Sequence, residues 1–350
     1  MKKWYEDERI DKDVVISSRI RLARNIKKYP FSTILQKSDI DKLINEVKDS
    51  IINDSNVIGN SFEFIKFDDL SNIDKYSMVE NHTVSNDIIK KKDSAALIKN
   101  DDSASILINE EDHIRIQSVS IGNDINSAWE FANNIDNLIE ERIEYAFDKD
   151  FGYLTSCITN TGTGLRASFM IHIPMIEMSG NLANISRAIG KFGMTMRGIY
   201  GEGSESLGGI YQISNQITLG KSEKEIIEAL KSVTNQIIEQ EKELRNNVIK
   251  NNSAKFEDKI YRSYGILCSC RQISSKEAMK LLSDIRLGFM TGILKFNKPE
   301  KNIYNIMMNV QPGNLIKLCG KNLNESERDI ERAKYLNEQL RKFWFKEKLI

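Results

Sequence analysis

The sequence predicts an α+β fold in which strands and helices mix up to about residue 252 and helices alone follow. Three observations predict it. Short runs of period-two alternation, the mark of half-buried strands, recur at 19–22, 61–67, 105–117, 168–174 and 210–213. Apolar residues at helical spacing recur at 38–53 and 126–147. Beyond 252 the glycine-rich connections give way to capped helical patterns. A chain of 350 residues has room for one large domain or two modest ones.

Composition narrows the function. Lys+Arg and Asp+Glu both number 50, so the net charge is zero. That argues against nucleic acid or an anionic membrane as a bulk electrostatic partner. No apolar run approaches a transmembrane span, and the first residues lack the apolar stretch of a signal peptide, so a cytoplasmic protein is expected. Cys157, Cys268, Cys270 and Cys319, with His82, His113 and His172, are poor material for a zinc site. Cys268-Ser-Cys270 has the wrong spacing for a zinc knuckle, and four cysteines are too few for a disulfide framework.

In chain order, SSRIRLAR at 17–24 puts Arg19 and Arg21 on one face of a strand and Ile20 and Leu22 on the other. It reads either as a solvated basic edge or as a row of guanidinium forks for a polyphosphate. Residues 38–53 form an amphipathic helix with Ser38 as a candidate N-cap, and 61–67 a strand. Residues 68–100 give no functional signal. Two strands over 105–117 flank the acidic tip Glu110-Glu111-Asp112, with Arg115 just beyond. A helix over 126–147 precedes CITNTGTGLRAS at 157–168, where Gly162 and Gly164 would let the backbone approach a ligand. Thr161 and Thr163 add hydroxyls there, and Arg166 a planar fork. His172 alternates in the following strand as a sheet residue. Five glycines over 197–209 mark a mobile loop that opens on Arg197 and carries Glu202. Ser222-x-x-Glu225 is a capping box for a long helix, Ser274-x-x-Glu277 caps another, and a final helix spans about 325–345. A domain boundary is expected near 252.

Five motifs, SSRIRLAR (17–24), NEEDHIRIQ (109–117), CITNTGTGLRAS (157–168), RGIYGEGSE (197–205) and QISNQITLGKSE (212–223), together resemble the ATP:guanido phosphotransferases, the family of creatine and arginine kinases. They stand in the family's order across about 14–245. The resemblance implies a catalytic domain at 1–252, built on a large antiparallel sheet flanked by helices, and a small all-helical domain at 253–350. It implies ATP and Mg²⁺ as cofactors. Arg19, Arg21, Arg115, Arg166 and Arg197 would grip the nucleotide phosphates. Glu111 would be the base on the acceptor guanidinium and Glu202 would complete the clamp. Glu110 would stand near Mg²⁺ through water, the Cys157 thiolate would orient the guanidinium, and Asn160 would help to position the acceptor.

The departures from the creatine and arginine kinases matter too. Ser17-Ser18-Arg19 lies almost at the start of the sequence, so the helical domain that precedes this motif in those enzymes is expected to be absent. A C-terminal helical region that they lack is present instead. This architecture resembles the bacterial protein-arginine kinase branch, as does RDIERA at 328–333. There Arg328, Asp329, Arg332 and Ala333 would form a phosphoarginine-binding motif. That branch implies phosphorylation of arginine in proteins, a place in protein quality control and stress response, a zinc-binding activator and a Clp-type unfoldase or protease as partners, and a homodimer built by the C-terminal helices. The alternatives are a small-guanidine kinase and a non-catalytic phosphoarginine-binding adaptor. The intact Glu111, Glu202 and five arginines argue against the adaptor. Ile158 stands where the family usually has proline, and Met170 where creatine kinase has a histidine beside the adenine, so the base pocket does not carry over.

Overall fold

The computed structural model describes residues 2–52, 58–198, 207–295 and 302–342. The chain opens with β1 (Val15–Arg24), α1 (Lys37–Ile51), β2 (Phe62–Lys66), α2 (Asn72–Glu80), β3 (Ala95–Lys99), β4 (Ala104–Ile108) and β5 (Ile114–Ile121). Next come α3 (Ile125–Glu140), the two-residue strands β6 (Phe147–Asp148) and β7 (Gly152–Tyr153), β8 (Leu165–His172), α4 (Pro174–Met178), α5 (Leu182–Gly190), β9 (Met194–Gly198) and β10 (Ile210–Asn215). Helices follow: α6 (Glu223–Ser269), α7 (Ser275–Met290), α8 (Ile303–Asn309), α9 (Pro312–Cys319) and α10 (Glu325–Lys342). Eight strands form one sheet in the order β2-β3-β4-β5-β1-β8-β10-β9, every pair antiparallel. The α+β expectation holds.

β1 lies near the middle of the sheet, and its alternation decides both faces. Ile20 and Leu22 are fully buried in a core that includes Leu43 and Val47 of α1 and Ala132 and Ile135 of α3. Arg19 and Arg21 therefore point the other way. Register carries that face across the sheet. Arg21 stands opposite Gln117 on β5 and opposite Arg166 on β8, and Arg197 on β9 stands opposite Gln212 on β10.

A second core covers one end of this open face. Met170 and Ile210 of the sheet join Trp4, Tyr5 and Ile10 from the start of the chain and Leu282, Ile285, Tyr304 and Met307 from the C-terminal helices. The Tyr304 hydroxyl donates to the Met170 sulfur at 3.3 Å. Met170 is thus committed to packing. The helix that begins at the Ser222 capping box runs unbroken from 223 to 269, so residue 252 lies within a helix. Along this one rod Ile226, Ile227, Leu230, Ile237 and Ile238 belong to the first core, and Phe256, Ile260, Tyr264 and Leu267 to the second. The helix expected over 126–147 ends at Glu140, and Ile143 and Tyr145 turn back into the core.

Arg286 fastens the C-terminal helices to the start of the chain. It is fully buried, its Nε donates to Asp11 at 3.1 Å, and its Nη2 donates to the carbonyls of Ile10 and Asp13 at 2.6 and 2.8 Å. Asp11 also accepts from the backbone of Ile303 and Tyr304. Breaking a buried pair strands the remaining charge. Arg286→Ala is therefore expected to cost about 3–5 kcal/mol of stability, checked by the urea midpoint. His172 is also internal, 2.8 Å from the Ser283 hydroxyl. Burial, with Arg286 and Arg245 nearby, holds its pKa well below the ordinary value.

Candidate active site

The open face of the sheet forms the floor of a cavity of about 820 Å³. Arg19, Arg21, Arg115, Arg166 and Arg197 all line it, as do Glu111, Cys157 and Asn160. Residues spread over 179 positions of sequence meet there because strand order sets β1 between β5 and β8, with β10 and β9 beyond. Glu202 lies outside the described residues.

Five guanidinium groups share the described wall with only two carboxylates, Glu111 and Asp87. The crowding shows in their electrostatics. Burial, reinforced by the charges of Arg115 and Arg166, brings the Arg19 pKa down to about 10. Arg21 is held well below its ordinary value by burial and by Arg19, Arg115 and Arg166. Its Nε is buried without a hydrogen-bond partner. A buried donor on a crowded cationic floor is a fit for a polyanion such as a nucleotide's phosphates. Arg19 is steadied from β10, donating from Nη2 to Gln212 Oε1 at 2.5 Å.

The acidic tip divides its labour. Glu110 is 3% exposed, and both its oxygens accept from Arg115 Nη1, at 2.8 and 2.7 Å. It also accepts from the Ser85 hydroxyl. Burial by itself would raise the Glu110 carboxyl, but Arg115, with Ser85 and Arg21, outweighs it and holds the pKa low. Asp112 is buried as well, accepting from Asn25 Nδ2 at 2.7 Å and from the Ser156 backbone at 2.6 Å. His113 takes the Ile26 N–H on Nδ1 at 3.0 Å and meets the Pro30 carbonyl at 2.8 Å. Glu111 alone of the three acids reaches the cavity wall. Partial burial, then Asp112 and Glu110, push its pKa up.

The loop at 157–168 places Cys157 and Arg166 at the cavity, but its glycines serve the chain itself. At Gly162 (φ 115°) a Cβ would lie 2.5 Å from the Thr218 carbonyl oxygen. At Gly164 (φ 62°) it would lie 2.5 Å from the Ala23 carbonyl oxygen and 2.6 Å from Arg24 Nη1. The expected approach to a ligand is thus an approach to neighbouring backbone. Thr161 shares a 3.0 Å hydroxyl contact with Thr155, and Thr163 Oγ1 accepts from Leu165 N–H. Both hydroxyls are used inside the loop. Arg24 braces it: buried against Asp136 at 2.6 Å, it donates to the Thr163 carbonyl at 3.0 Å and lies 3.5 Å from the Tyr153 ring. Gly164→Ala is expected to cost about 2–3 kcal/mol and to lower turnover through Arg166, checked by thermal melting alongside activity.

Several cavity residues went unseen in the sequence. Gln117 follows Arg115 by two positions, so strand alternation alone would have found it. His82, Ser85, Asn86 and Asp87 come from the stretch at 68–100 that carried no signal. They follow α2 in irregular chain, where no periodicity tells which way a side chain faces. Burial and Arg19 bring the His82 pKa down to about 3, so it is neutral at the cavity edge.

RDIERA sits on α10, away from this wall. Arg332 is 1% exposed, donating from Nε to the Val310 carbonyl at 2.8 Å and from Nη1 to the Ile273 carbonyl at 2.9 Å and to Asp329 at 2.5 Å. Ala333 is buried, and Arg328 donates to the Leu323 carbonyl at 3.0 Å. Among the described residues no helix is long and apolar enough to cross a membrane.

Comparison with known proteins agrees with this geometry. Residues 42–244 match the model of the ATP:guanido phosphotransferase C-terminal catalytic domain, and residues 253–348 that of the protein-arginine kinase McsB C-terminal domain. The chain is similar to a protein-arginine kinase of Caldanaerobacter subterraneus subsp. tengcongensis, 45% identical over 333 residues, covering 95% of this chain and 98% of that protein. A protein-arginine kinase of Bacillus cereus is 47% identical over 340 residues, covering 97% and 95%. In fold the chain resembles the duplicated taurocyamine kinase of Schistosoma mansoni (TM-score 0.60, 24% identity, 73% of this chain and 39% of that one). It also resembles a lombricine kinase (TM-score 0.59, 22% identity, 70% and 73%). A cavity lined by five arginines together with Glu111 and Cys157, and a family model matched over more than half of the chain, lead to one assignment: the chain belongs to the ATP:guanido phosphotransferase family.

Proposed function

We propose that this chain transfers the γ-phosphoryl group of ATP to a guanidino nitrogen of arginine side chains in proteins. The observation that carries the proposal is the meeting of five arginines, Glu111 and Cys157 on one cavity, in a chain that is 45–47% identical over nearly its whole length to enzymes named protein-arginine kinases. Kinases of this family use ATP.

Phosphoryl transfer asks a protein mainly for positioning and charge neutralisation. Arg19, Arg21, Arg115, Arg166 and Arg197 grip the phosphates, and Glu110 keeps Arg115 aimed. Mg²⁺, when bound, neutralises phosphate charge. The ion would be carried mainly on the phosphates, and Glu110, which stands behind Arg115 and Ser85, would reach it only through water. The acceptor guanidinium keeps its proton in water. Glu111, with Glu202 as the second half of the clamp, holds it, fixes the attacking nitrogen in line and takes a proton as the N–P bond forms. Asn160 and Cys157 orient the guanidinium from the other side. Cys157→Ser is expected to lower kcat by about tenfold or more with little change in the KM for ATP, as steady-state kinetics with varied ATP will tell.

Within the same proposal, residues 1–252 are the phosphotransferase part. The helices from 253 build a homodimer and hold Arg328, Asp329, Arg332 and Ala333 as a phosphoarginine-responsive element. The protein works in the cytoplasm, in protein quality control and stress response, with a zinc-binding activator and a Clp-type unfoldase or protease. The deciding experiment incubates purified protein and Mg-ATP with casein or with free arginine, followed by mass spectrometry that preserves the P–N bond. Phosphoarginine in casein is expected. Phosphorylation of free arginine alone would overturn the proposal in favour of a small-guanidine kinase.

A further inference from the structure

Fourteen large hydrophobic side chains are exposed among the described residues, and six of them lie on one track beside the catalytic cavity: Phe147, Phe151, Ile158, Phe192, Ile217 and Leu219. Such concentration is unusual for singly scattered surface residues. The track starts at the cavity itself. Ile158 is 88% exposed, while Cys157, Thr159 and Asn160 on either side of it line the cavity. Gln216 also lines the cavity, and the chain from it runs outward along the loop. Thr218 Oγ1 donates to the carbonyls of Thr159 and Thr161 at 3.0 and 2.7 Å, and the Thr218 carbonyl accepts from Thr163 N–H at 3.2 Å. With Thr218 turned in, Ile217 and Leu219 on either side remain about half exposed.

Neighbours continue the track at both edges. Gly193, next to Phe192, packs so closely that a Cβ there would lie 2.5 Å from Ile217 Cδ1. Leu219, Phe147 and Phe151 line a cleft of about 430 Å³. The Phe147 ring meets Tyr153 edge-on at 5.2 Å, and Tyr153 exchanges backbone hydrogen bonds with Gly162 in the loop. From Cys157 to Phe151 the apolar groups thus sit on one stitched piece of backbone.

Phosphoryl transfer to a cation makes no use of apolar groups at the cavity mouth, and a free small guanidine would not reach them. We infer that this track receives the apolar residues that flank the acceptor arginine in an extended, unfolded protein segment. The inference rests on the protein-arginine reading above. Its occupant is argued from continuity with the cavity: an acceptor arginine held by Glu111 carries its neighbours past Ile158, and an extended chain advances about 3.3–3.6 Å per residue. A folded acceptor would keep its apolar neighbours in its own core, so the track selects unfolded chain.

The test uses the full chain with Mg-ATP and two peptides that differ only in the residues flanking a single arginine, Leu and Phe in one, Ser and Gly in the other. The apolar-flanked peptide is expected to have about tenfold higher kcat/KM, the lower end of what burying one large apolar side chain supplies, carried by KM. The double variant Phe151→Ser with Leu219→Ser is expected to bring the two peptides together, with turnover of the polar-flanked peptide as the control on folding. Equal kcat/KM for the two peptides in wild type, or undiminished preference in the double variant, overturns the inference while leaving arginine phosphorylation of proteins standing. Should neither peptide nor casein accept phosphate while free arginine does, the protein-arginine reading falls and this inference with it. Sedimentation of the two forms adds a further arm: self-association lost in the double variant, with no change in peptide preference, would make the track a contact between copies and overturn the assignment.

Discussion

Glu111→Gln is expected to lower kcat by about 10²–10⁴-fold, the contribution of a well-placed general base, with little change in the KM for ATP. The amide keeps the shape and one acceptor oxygen, so the guanidinium is still held, but the proton has nowhere to go. The pH dependence gives the test its sign. Partial burial, with Asp112 and Glu110, holds the Glu111 carboxyl above its ordinary value in the folded protein. As a base it must be ionised, so the acid limb of kcat/KM should lie above the ordinary carboxylate range and vanish in the variant. Stability moves the other way. A carboxyl whose folded pKa exceeds its unfolded one stabilises the fold below the unfolded value and loses that contribution as pH rises through the folded value. At pH 7 Glu111→Gln should therefore melt at or above wild type, and the difference should disappear below about pH 4. A variant that lost stability at pH 7 together with activity would make Glu111 a structural residue.

Arg21→Ala is expected to reduce kcat by about 10²–10³-fold, the usual cost of removing one donor aimed at developing charge. Its melting temperature should be no lower than that of wild type. Arg21 is half-buried, its Nε is buried and lacks a partner, and it is repelled by Arg19, Arg115 and Arg166. In the protein without nucleotide this charge is a burden, and function retains it. Arg21→Lys keeps the charge but not the fork, so it should recover only part of the activity. Parallel loss of stability and activity in Arg21→Ala would count against a role at the phosphates. Arg24, three residues along the same strand, should behave in the opposite way, because it is paired with Asp136 and holds the loop at Thr163.

That contrast shows how much was legible beforehand. Period two separated Arg19 and Arg21 from Ile20 and Leu22, and motif order indicated which distant arginines belong with them. The hairpin of β4 and β5, the capping box at Ser222 and the cap at Ser274 follow from local rules, and the structure has them as expected. Gly162 and Gly164 were recognisable as special positions. Their reason was not, because the carbonyls of Thr218 and Ala23 that crowd them come from other strands and turns. Likewise the three acids at 110–112 look equivalent in sequence. Only Arg115 above one and Asn25 beneath another leave Glu111 as the member facing the cavity.

The sequence by itself determined most of the elements, the two faces of β1 and the family. These depend on local periodicity, capping and motif order, which are written within a few residues of each other. Only the tertiary structure decided the register that sets Arg21 against Arg166, the neutral His82 at the cavity edge, and the helix that carries the chain unbroken past residue 252. It also decided that Arg332 serves buried carbonyls while Ile158, Ile217 and Leu219 stay exposed beside the cavity. Each of these depends on what packs against a residue from far along the chain. Burial and charge fields arise only when those neighbours arrive.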